Sequence, residues 1–167
     1  HFSRIFYTAR YSFSNVWTTS YQCIRRANTV FARIDEAKDL TAQDRAELLS
    51  LNRFIRAYAY YKLWLAYGPV ILIGDEEIPS NLDMGDYDRA RATNEETVEY
   101  ICSELEEAAK YLPETYPLME FGRPTKGAAY GLIARIRTYY ASPLWNGGEA
   151  ARRCFGNWYR KTDRVKY

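Results

Sequence analysis

The chain has almost none of the residues from which metal sites and many active sites are built. Its 167 residues include one histidine, His1, and three cysteines, Cys23, Cys102 and Cys154, which follow no CxxC spacing. A zinc site is therefore not expected, and we assign no metal ligand. GxSxG, HExxH, phosphate-loop and dinucleotide motifs are also missing, so we assign no catalytic residue and no cofactor.

Long apolar runs and excess charge are lacking too. No run approaches the ~20 residues that a membrane-spanning helix needs, and no signal peptide is visible. The formal net charge is only +2, which argues against nucleic acid as a partner. The acidic run Asp75-Glu76-Glu77 could bind calcium, but no EF-hand spacing surrounds it, and a solvated loop is the favoured interpretation.

Aromatic residues, by contrast, are abundant. They make up 16% of the chain, and 16 residues are Tyr. A Tyr ring offers an apolar face with a polar tip, which suits both helix packing and contact with a sugar. For any single Tyr, packing is the favoured interpretation.

Apolar residues recur at steps of three and four in four segments, and each of these stripes predicts a helix. The predicted helices run from Phe13 to Ala37, from Thr41 to the stop at Gly68-Pro69, from Thr93 to the stop at Pro113, and from just after Thr125 to the stop at Pro143. Thr41 with Asp44 and Thr93 with Glu96 are predicted capping boxes. The connection at 38–40 is short, whereas the loop from Gly74 to Ala92 is unusually long.

This order predicts an all-α fold of tetratricopeptide-like stacked helical hairpins with long irregular loops. The second helix carries two apolar stripes, so we place it at the centre. Asn28 interrupts the stripe of the first helix and is predicted to bind the backbone of a neighbouring segment. Arg56 is predicted to be half-buried and paired with backbone or a carboxylate, because an unpaired charge there would be costly.

Four patterns, in order and at consistent spacing, resemble the SusD/RagB family of outer-membrane nutrient-binding lipoproteins. The resemblance covers residues 14 to 148. The patterns are Tyr21 with Ala27-Asn28; Arg53-Phe54-Ile55-Arg56-Ala57-Tyr58 running into Tyr67-Gly68-Pro69-Val70; Arg91-Ala92-Thr93 with Glu104-Leu105-Glu106-Glu107-Ala108 and Leu112-Pro113; and Gly122-Arg123-Pro124-Thr125-Lys126-Gly127-Ala128-Ala129 leading to Ala134-Arg135-Ile136.

The resemblance implies a non-catalytic protein on the bacterial cell surface that binds glycans or peptides. It implies an outer-membrane lipoprotein, with a lipid anchor outside this sequence, that delivers its ligand to a SusC-like TonB-dependent transporter. Residues 1–167 would then form part of a single SusD-like helical domain, the N-terminal half of a longer protein truncated at both ends. A tetratricopeptide-type interaction module and a fragment of a helical glycoside hydrolase are the alternatives.

Two loop aromatics are the candidate ligand-binding residues. Tyr87 lies between Asp86 and Asp88, and Trp145 precedes Asn146. An exposed ring beside a polar side chain can stack on the C–H face of a sugar and also bind its hydroxyl groups. For Trp145 the alternative is packing over the end of the fourth helix, and that interpretation is favoured.

Overall fold

The computed structural model describes residues 16–78 and 88–145, together with Glu149 and Arg153. Four helices account for most of this length: α1 (Val16–Arg33), α2 (Ala42–Tyr67), α3 (Asn94–Ala109) and α4 (Lys126–Tyr140). Short 3-10 turns cover Ile34–Glu36 and Leu118–Glu120. The described residues contain no strand, so the predicted all-α class is confirmed.

The helix starts follow from their capping residues. Thr93 and Glu96 form the predicted capping box, in which each side chain accepts a hydrogen bond from the other residue's backbone amide. Thr41 also caps its helix by accepting from the Asp44 amide. The reciprocal half differs there, because the Asp44 carboxylate accepts from the Thr41 hydroxyl instead. An Asp side chain is one methylene shorter than the Glu that a full capping box uses.

Two predicted helix ends lie too far along the chain. The first helix ends at Arg33, four positions before the predicted Ala37, and tightens into the 3-10 turn. The third ends at Ala109, where Lys110 turns back towards the Glu107 carbonyl well before Pro113. Helices commonly tighten in this way at their last turn. The predicted start at Phe13 lies outside the described residues.

Each helix packs against the next in the chain, and consecutive helices are antiparallel. The contacts that show this are Trp17 with Tyr67 and Phe31 with Arg53 for α1–α2, Trp64 with Asn94 and Arg53 with Glu104 for α2–α3, and Glu99 with Arg137 for α3–α4. The two predicted hairpins are therefore present, and α2 lies between α1 and α3 as its two stripes predicted.

The core forms around Trp64 on α2. Its side chain is fully buried, its indole N–H donates to the Asn94 side chain at 2.7 Å, and its ring lies 5.4 Å from that of Tyr139 on α4. The α2 stripe that contains Ala57, Tyr60 and Trp64 is buried as predicted. Tyr58 and Leu65, on the stripe beside it, remain 45% and 41% exposed. In the described ranges, no helix is both long enough and apolar enough to cross a membrane.

Candidate functional site

A buried arginine on α2 organises one end of the helical stack. Arg56 is 0% exposed, and its Nε and Nη2 atoms donate to Glu104 Oε2 on α3 at 3.1 and 2.5 Å. Burial acts to lower the pKa of the Arg56 guanidinium, but the hydrogen bond to Glu104 and the neighbouring charges outweigh burial and raise it. The prediction of a carboxylate partner is confirmed, and the side chain is more buried than the predicted half.

The same arginine reaches the irregular segment that follows α2. Its Nη1 atom donates to Gly74 O at 3.0 Å and to Asn28 Oδ1 at 2.8 Å. Asn28 in turn donates to the carbonyls of Gly74 and Glu76 at 3.0 and 2.7 Å. The predicted role of Asn28 is therefore confirmed, and this network fixes the segment from Gly74 to Glu76 against α1 and α2.

The preceding residues, 70–73, form neither a helix nor a strand, and Val70 O accepts a hydrogen bond from Ala92 N at 2.9 Å. Two tyrosine hydroxyl groups form hydrogen bonds with the backbone of this segment. The Tyr21 hydroxyl donates to Ile71 O and accepts from Ile71 N, both at 3.0 Å, and the Tyr60 hydroxyl accepts from Ile73 N at 3.0 Å. Ile71 is therefore bound to α1 and Ile73 to α2, which fixes the backbone of residues 70–73. We call residues 70–73 the wall.

The acidic run Asp75-Glu76-Glu77 follows this wall. Each carboxylate pairs with an arginine: Asp75 with Arg56 at 2.6 Å, Glu76 with Arg89 at 2.7 and 2.8 Å, and Glu77 with Arg33 at 3.7 Å. The Arg89 hydrogen bonds hold the pKa of the Glu76 carboxyl below its ordinary value. The run is thus a set of ion pairs, and the described residues contain no cluster of side chains that could hold a metal ion.

A groove of about 290 Å³ lies between α1 and this wall. Trp17, Tyr21 and Arg25 line it from α1, at positions separated by one helical turn. Ile71 and Ile73 line it from the wall. The paired side chains of Glu76 and Arg89 also line it.

Aromatic rings give the groove its chemical character. The Trp17 and Tyr21 rings lie 4.9 Å apart, and Tyr67 meets Trp17 edge-on at 5.2 Å. The Arg91 guanidinium lies 5.3 Å from the centre of the Trp17 ring. Apolar ring surface is therefore combined with charged groups, so the groove suits a ligand that has apolar faces and hydrogen-bonding edges.

The two aromatics predicted from the sequence do not meet in this groove. Tyr87 lies outside the described residues, two positions before Arg89. Trp145 is only 3% exposed, because its ring stacks on Trp64 at 5.1 Å over the end of α4. The favoured packing interpretation of Trp145 is therefore confirmed, and its ring is not an exposed loop aromatic. A contact of either residue with a ligand stays a prediction.

Sequence reasoning missed Trp17, Tyr21 and Arg25 as groove residues. Both aromatics lie on the apolar stripe that predicts α1, at steps of four residues, and both pack partly against the core. The usable signal was Arg25, a charged residue one turn after Tyr21 on the same face. An arginine beside an aromatic stripe indicates that this part of the stripe is open to solvent.

The sequence and the helical fold of this chain are similar to those of known proteins. A SusD-like family model, described as starch-binding and associating with the outer membrane, matches residues 3–138. A SusD-like protein of Bacteroides ovatus is 28% identical over 137 residues, which are 81% of this chain and 23% of that protein. The chain therefore spans about a quarter of that relative's length.

Two solved structures are similar along most of the chain. A SusD-like protein from Bacteroides fragilis has 31% identity and a TM-score of 0.68, over 76% of this chain and 24% of its own. Surface glycan-binding protein A from Bacteroides thetaiotaomicron, solved in complex with laminarihexaose, has 25% identity and a TM-score of 0.63, over 77% of this chain and 25% of its own.

Proposed function

The chain belongs to the SusD-like family, and from that premise we propose that it forms part of a surface protein that binds glycans without cleaving them. The family description names starch binding, and one similar structure holds laminarihexaose. The observation that supports this proposal most directly is the groove between α1 and residues 71–78, which Trp17 and Tyr21 line from α1.

The groove matches the chemistry of a sugar. A pyranose ring has an apolar C–H face that stacks on an aromatic ring and a rim of hydroxyl groups that need hydrogen-bond partners. Trp17 and Tyr21 offer the ring surface, while Arg25, Glu76 and Arg89 offer charged hydrogen-bonding groups on the rim. Tyr87 belongs to this proposal as well, because it lies two residues before Arg89 in the sequence.

The carboxylates at the groove support binding over hydrolysis. A glycoside hydrolase needs a pair of carboxyl groups, one of them a proton donor with a raised pKa. Glu76 is the only carboxylate among the described residues that line the groove. Its pKa is lowered by the bidentate pair with Arg89, so it is held as a carboxylate and is a poor proton donor.

The proposal extends to the place and partner that the family resemblance implies. The protein that carries this chain would be a lipoprotein exposed on the outer membrane, and it would deliver its glycan to a SusC-like TonB-dependent transporter. Labelling with palmitate in cells, followed by protease treatment of intact cells, tests the anchor and the exposure. Co-purification of the defined transporter with the tagged protein tests the partnership.

Calorimetry with the protein that carries this chain tests the groove. Maltohexaose and laminarihexaose are the first ligands to titrate. Replacing Trp17 by Ala is expected to weaken binding about tenfold, because a stacking surface is lost. Tyr111→Ala is the matched control, since Tyr111 is 57% exposed and does not line the groove. Equal affinity for the two variants would contradict the assignment of the groove.

Tyr87→Ala and Trp145→Ala complete the series. Tyr87→Ala is expected to weaken binding, and Trp145→Ala is expected to lower stability because its ring packs on Trp64. If Trp17→Ala, Tyr87→Ala and Trp145→Ala all bind as tightly as the parent protein, this chain contributes no aromatic glycan contact. Its role would then be that of a scaffold, as in a tetratricopeptide-type interaction module.

A further inference from the structure

The charged groups around the groove are unequally paired. On the acidic side, Glu76 forms a bidentate pair with Arg89, and Glu77 contacts Thr29 and Arg33. Neither carboxylate is left without a cationic partner. This side of the groove therefore presents little uncompensated negative charge to a ligand.

Arg25 is the opposite case. It is exposed, it lines the groove one turn after Tyr21, and it has no carboxylate partner within the described ranges. Arg91 adds a second cation behind the Trp17 ring, bound to the carbonyls of Tyr67 and Pro69 instead of to an acid. Among the described residues, neither Arg25 nor Arg91 is therefore neutralised by a carboxylate.

The spacing suits a charged sugar. Residues at i and i+4 on a helix lie about 5–6 Å apart at their Cβ atoms, so a ring stacked on Tyr21 would bring its substituents within reach of Arg25. A guanidinium binds planar carboxylate and sulfate groups through two parallel hydrogen bonds. The apolar surface and the cation would then act on one sugar residue together.

We propose that the groove selects a glycan that carries carboxylate or sulfate groups, and that Arg25 binds this anionic group. This inference rests on the proposed glycan-binding function and names the class of glycan. It makes Arg25 the residue that distinguishes an anionic glycan from a neutral one.

The test compares ligands of equal length in calorimetry at low salt. Maltohexaose is the neutral ligand, hexagalacturonate carries carboxylates, a carrageenan hexaose carries sulfates, and hexaglutamate is an acidic peptide. An anionic hexaose is expected to bind at least about tenfold tighter than the neutral one. Its affinity is expected to fall as salt is raised, because exposed charges are screened. The carboxylated and sulfated arms show which group is preferred.

Arg25→Gln is expected to reduce the preference for the anionic hexaose to within about threefold of neutral. Arg25→Lys is expected to restore part of it, since it keeps the charge without the planar fork. Arg26→Gln is the matched control: Arg26 is the next residue on α1, is also exposed, and does not line the groove. Its preference should equal that of the parent protein.

The possible failures separate the two proposals. Tight binding of maltohexaose with no gain for either anionic hexaose would overturn the role of Arg25 and leave glycan binding intact. Binding of hexaglutamate alone would overturn the glycan class, and binding of no ligand would contradict the proposed function and this inference together. An unchanged preference in Arg25→Gln would also overturn the inference.

Discussion

Two arginines on neighbouring helices differ in their burial and in their hydrogen-bond partners. Arg56 on α2 is 0% exposed and donates to Glu104, Asn28 and Gly74. Arg25 on α1 is exposed and has no ion pair among the described residues. The donors of Arg56 are matched inside the chain, whereas our proposal assigns the guanidinium of Arg25 to a ligand.

The difference has an energetic origin. A buried charge is tolerated only when its hydrogen-bonding capacity is matched, so the surroundings of Arg56 had to be built as a complete network. An exposed charge is already solvated by water, and it costs little to leave it unpaired. Burial therefore separates the arginine that holds the fold from the one available to a partner.

The largest expected effect comes from breaking the interior network. Arg56→Ala should lower the free energy of unfolding by about 3–5 kcal/mol, because Glu104 is left buried without its main partner. The loss should appear as a lower melting temperature of the protein that carries this chain. The segment from Gly74 should also become more accessible to protease, since two of its contacts disappear.

Arg135→Ala is the control for that substitution. Arg135 is exposed on α4 and has no ion pair in the described part of the chain. Its replacement should leave the melting temperature within the error of the measurement. A parent-like melting temperature for Arg56→Ala would show that the buried network does not hold the helices together.

The sequence predicted the interior well, and it did so through local rules. Apolar spacing located the four helices, Thr93 and Gly68 marked helix ends, and the apolar neighbours of Arg56 required a partner for its charge. The identity of that partner was beyond reach, because Glu104 lies 48 positions away on another helix. Spacing within a helix defines its faces but does not say which residue of the next helix meets them.

A smaller effect is expected where the interior meets the groove. The Tyr60 hydroxyl belongs to the core and accepts a hydrogen bond from Ile73 N in the groove wall. Tyr60→Phe keeps the ring and leaves that amide without its partner. We expect a loss of about 1–2 kcal/mol in the free energy of unfolding. Tyr111→Phe, on an exposed ring, should cost nothing measurable.

The raised pKa of Tyr60 predicts a loss of stability at alkaline pH. Burial raises the pKa of Tyr60 to about 12, whereas a free tyrosine titrates near 10. Because the folded-state pKa is the higher one, protonated Tyr60 contributes its full share to the free energy of unfolding below pH 10. This contribution is lost as the pH rises from 10 to 12. The melting temperature of Tyr60→Phe should therefore decrease less steeply between pH 10 and pH 12 than that of the parent protein. Equal slopes would contradict the assignment.

The groove could not be predicted as well as the core. One of its sides is formed by residues 71–78, an irregular segment whose path depends on side chains from three other places in the chain. These are Tyr21, Asn28 and Arg56, and none of them is close in sequence to the segment. The same dependence explains Trp145: its sequence neighbours indicated a loop, but stacking on Trp64 buries it.

The smallest effect on stability is expected at the ion pair that lines the groove. Glu76 and Arg89 form an exposed ion pair, with 51% and 31% of their side chains exposed. Glu76→Gln keeps the shape of the side chain and removes its charge. Because exposed pairs contribute little, the melting temperature should not change measurably. Arg89 would then lose its ionic partner, and the lining of the groove would become more positive.

Under the proposed specificity, Glu76→Gln should bind a sulfated hexaose about two- to fivefold tighter than the parent at low salt, since a like charge near the ligand is gone. Glu77→Gln, which makes the same change in net charge outside the groove lining, should not. The difference should also shrink in acid: the pKa of Glu76 is lowered by Arg89, so the parent carboxylate stays charged until the pH falls through that lowered value, while the sulfate stays ionised. Weaker binding by Glu76→Gln would mean that Arg89 must be held by Glu76 to act, and Arg25 would not be sufficient to recognise the anionic group.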